Sequence, residues 1–214
     1  MRAETRVILF ASVLAIVCSL LLTGAELLLK PFRDANERAE QIRNYLSALD
    51  IPVAEGSSAN ELIETFENNV SVDRIGELEL YTYIPANVSQ SNAQAKPQAY
   101  AVPFSGPGLW GPIYGVLALE PDFTTIRGIR FFKQEETPGL GGEIGATWFQ
   151  EQFKHKQIIS STGEYGFQIV KPGSAVDNNQ VDGITGATMT SERVGVMIDS
   201  VVKKLGEERQ NNVK

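Results

Sequence analysis

Cysteine and histidine are almost absent from this chain of 214 residues, which contains only Cys18 and His155. One thiol and one imidazole cannot form an iron–sulfur site with thiolate ligands, a structural zinc site or a disulfide framework. We therefore predict no metal site and no catalytic residue in this chain. Any redox chemistry would have to come from a bound organic cofactor.

Basic residues are also scarce, because 19 Lys and Arg stand against 26 Asp and Glu, for a formal net charge of −7. Nucleic-acid binding requires clusters of basic side chains that neutralise phosphates, and no stretch of this sequence collects them. We expect no nucleic-acid partner. The apolar fraction of 43% is that of an ordinary globular protein, so the length predicts one compact domain with an appendage.

An uncharged apolar run occupies residues 7–25, close to the length of about 20 residues that an α-helix needs to cross a bilayer. Arg2 and Arg6 precede the run and an acidic excess follows it. The positive-inside rule therefore predicts a cytoplasmic amino terminus and an extracytoplasmic domain. A cleavable signal peptide is the alternative, because the run ends in small residues at 23–25. We favour a retained anchor, because the apolar region of a signal peptide usually spans only about 7–15 residues.

Helical patterns stand at both ends of the remaining sequence. Apolar positions recur every three or four residues over 32–49, which indicates an amphipathic helix. Ser58 and Glu61 form a capping-box pattern that begins a second, short helix. Another short helix is predicted from Thr147. A final helix is predicted over 190–205, with one apolar face, two lysines in its last turn and a glycine after it.

The middle of the chain is rich in β-branched and aromatic residues, which favour strands. A turn is predicted at 121–122 and a polar surface loop at 88–97. Because the strands cluster rather than alternate evenly with helices, we predict an α+β fold: a mostly antiparallel sheet with helices packed on it. The predicted strands occupy residues 77–84, 99–104, 113–119, 126–132 and 167–171.

These patterns divide the chain into four predicted segments. A cytoplasmic tip and transmembrane helix take residues 1–29, and a helical juxtamembrane lead-in takes 30–76. The main domain is predicted at 77–207. The polar residues 208–214 form the predicted tail, which we expect to be frayed.

The first candidate site is the sequence DGITGATMT at 182–190, directly before the final helix. A helix amino terminus presents unpaired N–H groups and about half a positive charge, which stabilise a phosphate. Gly186 and Ala187 let a bulky group approach the backbone, and the hydroxyls add donors. The alternative is an ordinary capped turn, because Ser and Thr are common helix caps.

Two further stretches are candidates for ligand contact. The sequence QEETPGLGGE at 134–143 is a glycine-rich loop after a predicted strand, and such loops either bind ligands or are plain turns. The sequence GPGLWGPIYG at 106–115 places Trp110 and Tyr114 among glycines. These rings could stack on a flat ligand or belong to the core.

Taken together and in this order, the apolar run, GPGLWGPIYG, ETPGLGGE and DGITGAT resemble one family. It is the family of covalent flavin-binding subunits of bacterial membrane respiratory complexes. The family includes the C subunit of the sodium-translocating NADH:quinone reductase and its relative, the G subunit of the Rnf complex. The sequence GLW followed by ETPGLGGE is closer to the quinone reductase member.

The resemblance implies that FMN is bound covalently, its phosphate forming a phosphoester with Thr188. A separate flavin transferase, which uses FAD and a divalent metal, would make this bond and would read the motif containing Asp182. The other implied contacts fall into three groups. They are Thr185, Gly186, Ala187 and Thr190 around the phosphate and ribityl chain; Glu136, Thr137, Leu140 and Gly141 along the flavin; and Trp110 and Trp148 at its ring.

The implied function is a one-electron relay within a sodium-translocating NADH:ubiquinone reductase. The implied partners are the other subunits of that complex and the lipid bilayer. The protein would cross the bacterial inner membrane once, with its flavin domain in the periplasm. Two alternatives stay open: a subunit of an Rnf-type complex or a freestanding flavin carrier, and an anchored extracytoplasmic binding module without a redox role.

Overall fold

A computed structural model describes residues 3–54, 56–89 and 96–212 of the chain. The chain divides into two compact units between Ala39 and Glu40. A 3₁₀ turn, Gly141–Gly145, precedes the short helix Thr147–Glu151. In chain order the helices and strands are α1 (Ala3–Ala48), α2 (Ala59–Asn69), β1 (Val70–Ile75), β2 (Leu78–Tyr83), α3 (Ala86–Ser89), β3 (Ala99–Pro107), β4 (Pro112–Leu119), β5 (Ile126–Lys133), α4 (Thr147–Glu151), β6 (Gln168–Val170), β7 (Gln180–Asp182) and α5 (Thr188–Asn212).

The first unit consists of the amino-terminal part of α1. Within the described ranges, α1 is the one helix long and apolar enough to cross a bilayer by length and composition, and its apolar window is fully exposed. The sequence predicted a separate helix after Pro31, but α1 continues through this residue. Proline removes one backbone N–H donor from the helix, and the good helix formers of the sequence AELLLK before it keep the helical conformation.

The second unit is built on a five-stranded sheet with strand order β1-β2-β3-β4-β5, in which every neighbouring pair is antiparallel. This confirms the predicted α+β fold. Strands β6 and β7 form a separate two-stranded parallel sheet. Helix α5 packs on β3 and β6 and shares the main hydrophobic core with the large sheet. That core includes Val102, Phe104, Leu117, Ile129 and Phe131 of the sheet and Val194, Ile198, Val202 and Leu205 of α5.

The opposite face of the sheet is covered by the last turns of α1. The ring of Tyr45 lies 4.6 Å from that of Tyr81 and 6.1 Å from that of Phe132, centroid to centroid. Burial raises the pKa of Tyr45 and Tyr81 above the ordinary tyrosine value. A Cβ at Gly128 would lie only 2.9 Å from the backbone oxygen of Ala48, so glycine is what allows the helix to approach the strand so closely.

Three differences from the sequence prediction concern element boundaries. Strand β1 lies in the segment predicted as a helical lead-in; it is an exposed edge strand joined to β2 by a tight turn with Gly76 at a φ of 58°. Strand β7 was not predicted, because three residues are too few for a periodic pattern. Helix α5 continues to Asn212, into the predicted frayed tail, whereas a helix end near Gly206 was expected.

The other predicted elements are present. Ser58 and Glu61 make both hydrogen bonds of the capping box at the start of α2. The turn at 121–122 joins β4 and β5. In the predicted loop 88–97, residues 90–95 lie outside the described residues, and α3 occupies 86–89. His155 is exposed, as expected for a surface residue.

Candidate functional site

The start of α5 places an exposed threonine, Thr188, at a helix amino terminus. Gly186 has a φ of 81° and turns the chain, and the Ile184 N–H donates to Ser191 Oγ at 3.0 Å, which fixes the turn against the helix. Thr188 is the first residue of α5 and is exposed, whereas Ala187 and Thr190 are 7% and 2% exposed. The unpaired N–H groups of a first helical turn make this position favourable for a phosphate.

Glu136 connects the three candidate stretches. Its carboxylate is buried and accepts three hydrogen bonds. Oε1 accepts the backbone N–H groups of Leu109 and Trp110 at 2.6 and 3.2 Å, and Oε2 accepts the hydroxyl of Thr190 at 2.6 Å. Direct contacts therefore join the three stretches, and Glu136, which the resemblance placed along the flavin, faces the protein interior.

The loop 134–143 reaches the turn before α5 through Leu140. The carbonyl of Thr137, a residue with an exposed side chain, accepts the N–H groups of Leu140 and Gly142 at 3.1 and 2.9 Å and forms a tight turn. Leu140 is 44% exposed, and its Cδ2 would lie 3.2 Å from a Cβ at Gly186. Gly141 is buried beside Glu136 and Thr190. The loop therefore packs on the start of α5.

The loop 108–111, here called the tryptophan loop, carries the most exposed ring near the site. The Gly108 N–H donates to the Gly111 carbonyl at 2.8 Å, and Trp110 is 70% exposed. Arg193, on α5, donates a hydrogen bond to the Gly108 carbonyl. Tyr114 instead lies on β4 with its ring 6.4 Å from that of Phe132, so of the two predicted rings only Trp110 stands at the site.

An open groove of about 560 Å³ lies beside the same turn. It contains the predicted residues Trp148, Asp182 and Thr185. Trp148 is 50% exposed, and its Nε1 donates to Glu143 Oε2 at 3.1 Å. The full lining is Gly139, Glu143, Trp148, Gln152, Pro172, Gly173, Asp182, Gly183, Ile184 and Thr185.

Asp182 holds the local backbone in place. Its Oδ1 accepts the N–H groups of Ser174 and Ala175 at 2.9 and 3.0 Å. The side-chain amide of Gln152 bonds both the N–H and the carbonyl of Asp182. The carboxylate therefore fixes the wall of the groove.

The twelve predicted residues lie on these loops, at the end of β7, on α4 and at the start of α5, but they do not share one surface. Glu136, Gly141 and Thr190 form the buried support, while Trp110, Leu140, Trp148 and Thr188 are exposed around it. The sequence analysis missed Arg193, Gln152 and Glu143. Two of these residues could have been found from the sequence. Glu143 ends the candidate stretch 134–143, and Arg193 is a cation shortly after the hydroxyl-rich stretch. Within the described ranges, no group of three His, Cys, Asp or Glu residues is placed to hold a metal ion.

The sequence and the fold of this chain are similar to those of known proteins. Residues 108–203 match the model of a family described as FMN-binding domain. The C subunit of the Na⁺-translocating NADH-quinone reductase of Pasteurella multocida is 28% identical over 218 residues, covering 85% of this chain and 83% of the relative. The corresponding subunit of Pseudomonas aeruginosa is also 28% identical, over 90% and 88% of the two chains.

A solved structure shows the same fold. The C subunit of the Na⁺-translocating NADH-quinone reductase of Parabacteroides distasonis superposes with a TM-score of 0.68 at 27% identity, covering 84% of this chain and 96% of the other. The family match spans the tryptophan loop, the loop 134–143 and most of α5. The resemblance inferred from the motifs is therefore confirmed: the chain is similar in sequence and in fold to the C subunit of the Na⁺-translocating NADH-quinone reductase.

Proposed function

We propose that this chain is the FMN-carrying, membrane-anchored subunit of a sodium-translocating NADH:quinone reductase and that it relays single electrons through FMN bound covalently to Thr188. The matched FMN-binding domain and the named relatives support the cofactor and the complex. The complete active site of such an enzyme would be shared with other subunits. This chain would contribute the flavin that relays electrons and would hold that flavin in place.

The observation that carries the attachment point is that, of the two exposed threonines near this turn, Thr185 and Thr188, only Thr188 belongs to the first turn of α5. Thr188 presents its hydroxyl to solvent at the first helical residue, whereas the Thr190 hydroxyl is buried and bonded to Glu136. A phosphate esterified to Thr188 would lie next to the N–H groups of the first helical turn. Thr185, Gly186 and Ala187 would border the phosphate and the ribityl chain.

The surrounding residues fit a flat, amphipathic ligand. Leu140, Trp110 and Trp148 offer exposed apolar surface on both sides of the Thr188 turn. FMN supplies one-electron chemistry, and this chain's residues would hold and orient it. No side chain of the chain needs to act as an acid, a base or a nucleophile during turnover.

The apolar helix α1 fits the role of a retained anchor. Basic residues precede its apolar run and the acidic excess follows it, so we propose a cytoplasmic amino terminus, a single crossing of the bacterial inner membrane and a periplasmic flavin domain. Attachment of FMN would then require a flavin transferase on that side of the membrane. An anchor also keeps the relay at high effective concentration beside its partner subunits.

The attachment is tested by intact-mass spectrometry of the full chain, coexpressed with a flavin transferase. We expect wild type to gain the mass of FMN less one water, as condensation of its phosphate with a hydroxyl requires, and Thr188→Ala to gain nothing. Thr147→Ala is the matched control, because Thr147 is also an exposed threonine at the first residue of a helix. An unmodified, colourless wild type beside an active transferase would overturn the proposal and favour a binding module without a redox role.

The relay is tested in membranes that contain the whole complex. Thr188→Ala should abolish NADH-driven quinone reduction while the subunits still assemble, and Thr147→Ala should retain it. Full quinone reduction by Thr188→Ala would contradict the relay even if wild type carries FMN.

A further inference from the structure

The tryptophan loop is attached to the start of α5 by two charged side chains. The Glu136 carboxylate accepts the N–H groups of Leu109 and Trp110 and also the hydroxyl of Thr190. On the other side of the Gly108–Leu109 peptide group, Arg193 donates to the carbonyl of Gly108. The backbone on both sides of Leu109 is thus fixed to the first turns of α5, just beyond Thr188.

The packing around Glu136 leaves no room for a side chain at Gly108 or at Gly141. A Cβ at Gly108 would lie 2.6 Å from Oε1, and a Cβ at Gly141 would lie 2.7 Å from Oε2. Both distances are shorter than real Cβ contacts. Hydrogen bonds to a buried charged acceptor are stronger than bonds between neutral groups, and a buried carboxylate without its partners is costly.

The ring of Trp110 has little support of its own, because 70% of its surface is exposed. Its orientation therefore depends on the backbone from which it projects. We infer that Glu136 and Arg193 are positioning residues that hold the tryptophan loop against the start of α5 and thereby fix the orientation of Trp110. This deepens the proposed function and rests on it for the identity of the ligand, but not for the loop attachment itself.

This assignment changes the role that the resemblance implied for Glu136. A carboxylate that accepts three protein hydrogen bonds in a buried position acts through the loop and the helix that it joins. Arg193 received no role from the motif, and it lies one turn of α5 beyond Met189, on the side that faces the loop. Two residues from different segments therefore determine the position of one exposed ring.

The test uses the fact that the chain has only two tryptophans. In a Trp148→Phe background, time-resolved fluorescence anisotropy of the full chain in detergent, without flavin, reports on Trp110 alone. We expect Glu136→Gln and Arg193→Met each to increase the amplitude of nanosecond ring motion at least twofold. Arg193→Lys keeps a donor able to reach the Gly108 carbonyl and should restore most of the restraint, which a general loss of packing would not allow.

Hydrogen exchange gives a second readout on the same proteins. The amides of Leu109 and Trp110 should exchange at least tenfold faster in Glu136→Gln, whereas amides of β3 and β4 away from the loop should not change. Arg193→Met removes a partly exposed side chain and tests the attachment even if Glu136→Gln fails to fold. Unchanged ring motion and unchanged amide exchange in Arg193→Met would overturn the inference.

The two proposals fail separately. If wild type gains no FMN, the proposed function is wrong, but the flavin-free measurements still decide the loop attachment. If wild type gains FMN and the variants leave the anisotropy unchanged, the flavin proposal holds and the positioning role is wrong.

Discussion

Replacement of Gly141 by alanine is the sharpest test of the geometry around Glu136. The new Cβ would lie 2.5 Å from Thr190 Oγ1 and 2.7 Å from Glu136 Oε2. Ordinary contact begins at 3.4 Å, so the Thr190 hydroxyl would have to move by about 0.9 Å, and its 2.6 Å bond to Glu136 would be lost or distorted. Overpacking of this kind costs about 1–3 kcal/mol, and weakening a buried bond to a charged group adds to it. We expect the free energy of unfolding to fall by about 2–4 kcal/mol.

The assay is urea and thermal unfolding of the full chain in detergent, followed by tryptophan emission, because both tryptophans lie at the site. A loss of about 2 kcal/mol should lower Tm by about 4 °C or more in a domain of this size. Gly145 is the matched control: it ends the same 3₁₀ turn, and a Cβ there meets nothing within 4 Å. Gly145→Ala should be neutral or slightly stabilising, because alanine restricts the unfolded chain. Equal stability of the two variants would refute the tight packing around Glu136.

Two further predictions concern elements away from the site. Ser58→Ala removes the capping box of α2 and should lower the free energy of unfolding, measured with urea, by about 1 kcal/mol. Ser58→Asp should keep most of the wild-type stability, because aspartate is also a good helix cap. Burial raises the pKa of Asp122, but hydrogen bonds from Thr125 and Thr124 lower it more, so the net pKa lies below its ordinary value. The stabilisation from Asp122 is therefore present above its unfolded pKa of about 3.9 and lost as the pH falls through the lower folded pKa. The stability difference between wild type and Asp122→Asn should be constant from about pH 5 to 7 and vanish in stronger acid; a difference that persists there would contradict it.

Much of the fold could be predicted because it follows from local patterns. Strands β2 to β5 have continuous β-branched and aromatic runs. The capping box at Ser58 is a short-range signal. Strand β1 was missed because it lies at a sheet edge and carries charged residues, so its sequence VSVDRI lacks a buried alternating face. The extension of α5 beyond Gly206 depends on tertiary packing: a Cβ at Gly206 would collide with the ring of Tyr165, so this glycine serves close packing inside the helix rather than its end.

The candidate site was predictable only in part, because several of its contacts join residues far apart in the sequence. The position of Thr188 close to a helix start follows from a local motif, but the helix begins at Thr188 itself and not at the predicted residue 190. The role of Glu136 does not follow from sequence, because its partners are 26, 27 and 54 residues away. Arg193 bonds a carbonyl 85 residues away. A motif can indicate which residues gather at a ligand, but the direction in which each side chain points is set by the fold.

The openness of the site bears on why a covalent bond would be useful there. Binding pockets usually bury about 70–90% of a ligand. The groove beside the turn before α5 is open, and Trp148 in its lining and Leu140 on the loop 134–143 are about half accessible. A ligand on such a surface gains little affinity from burial, and a bond to Thr188 would replace that affinity with permanent proximity. Under the two proposals the roles separate: Thr188 would retain FMN, and Glu136 and Arg193 would orient the ring of Trp110. Under the proposed function, variants at Thr188 should change the mass of the protein, and variants of the loop attachment should change the surroundings of the flavin without releasing it once it is bound.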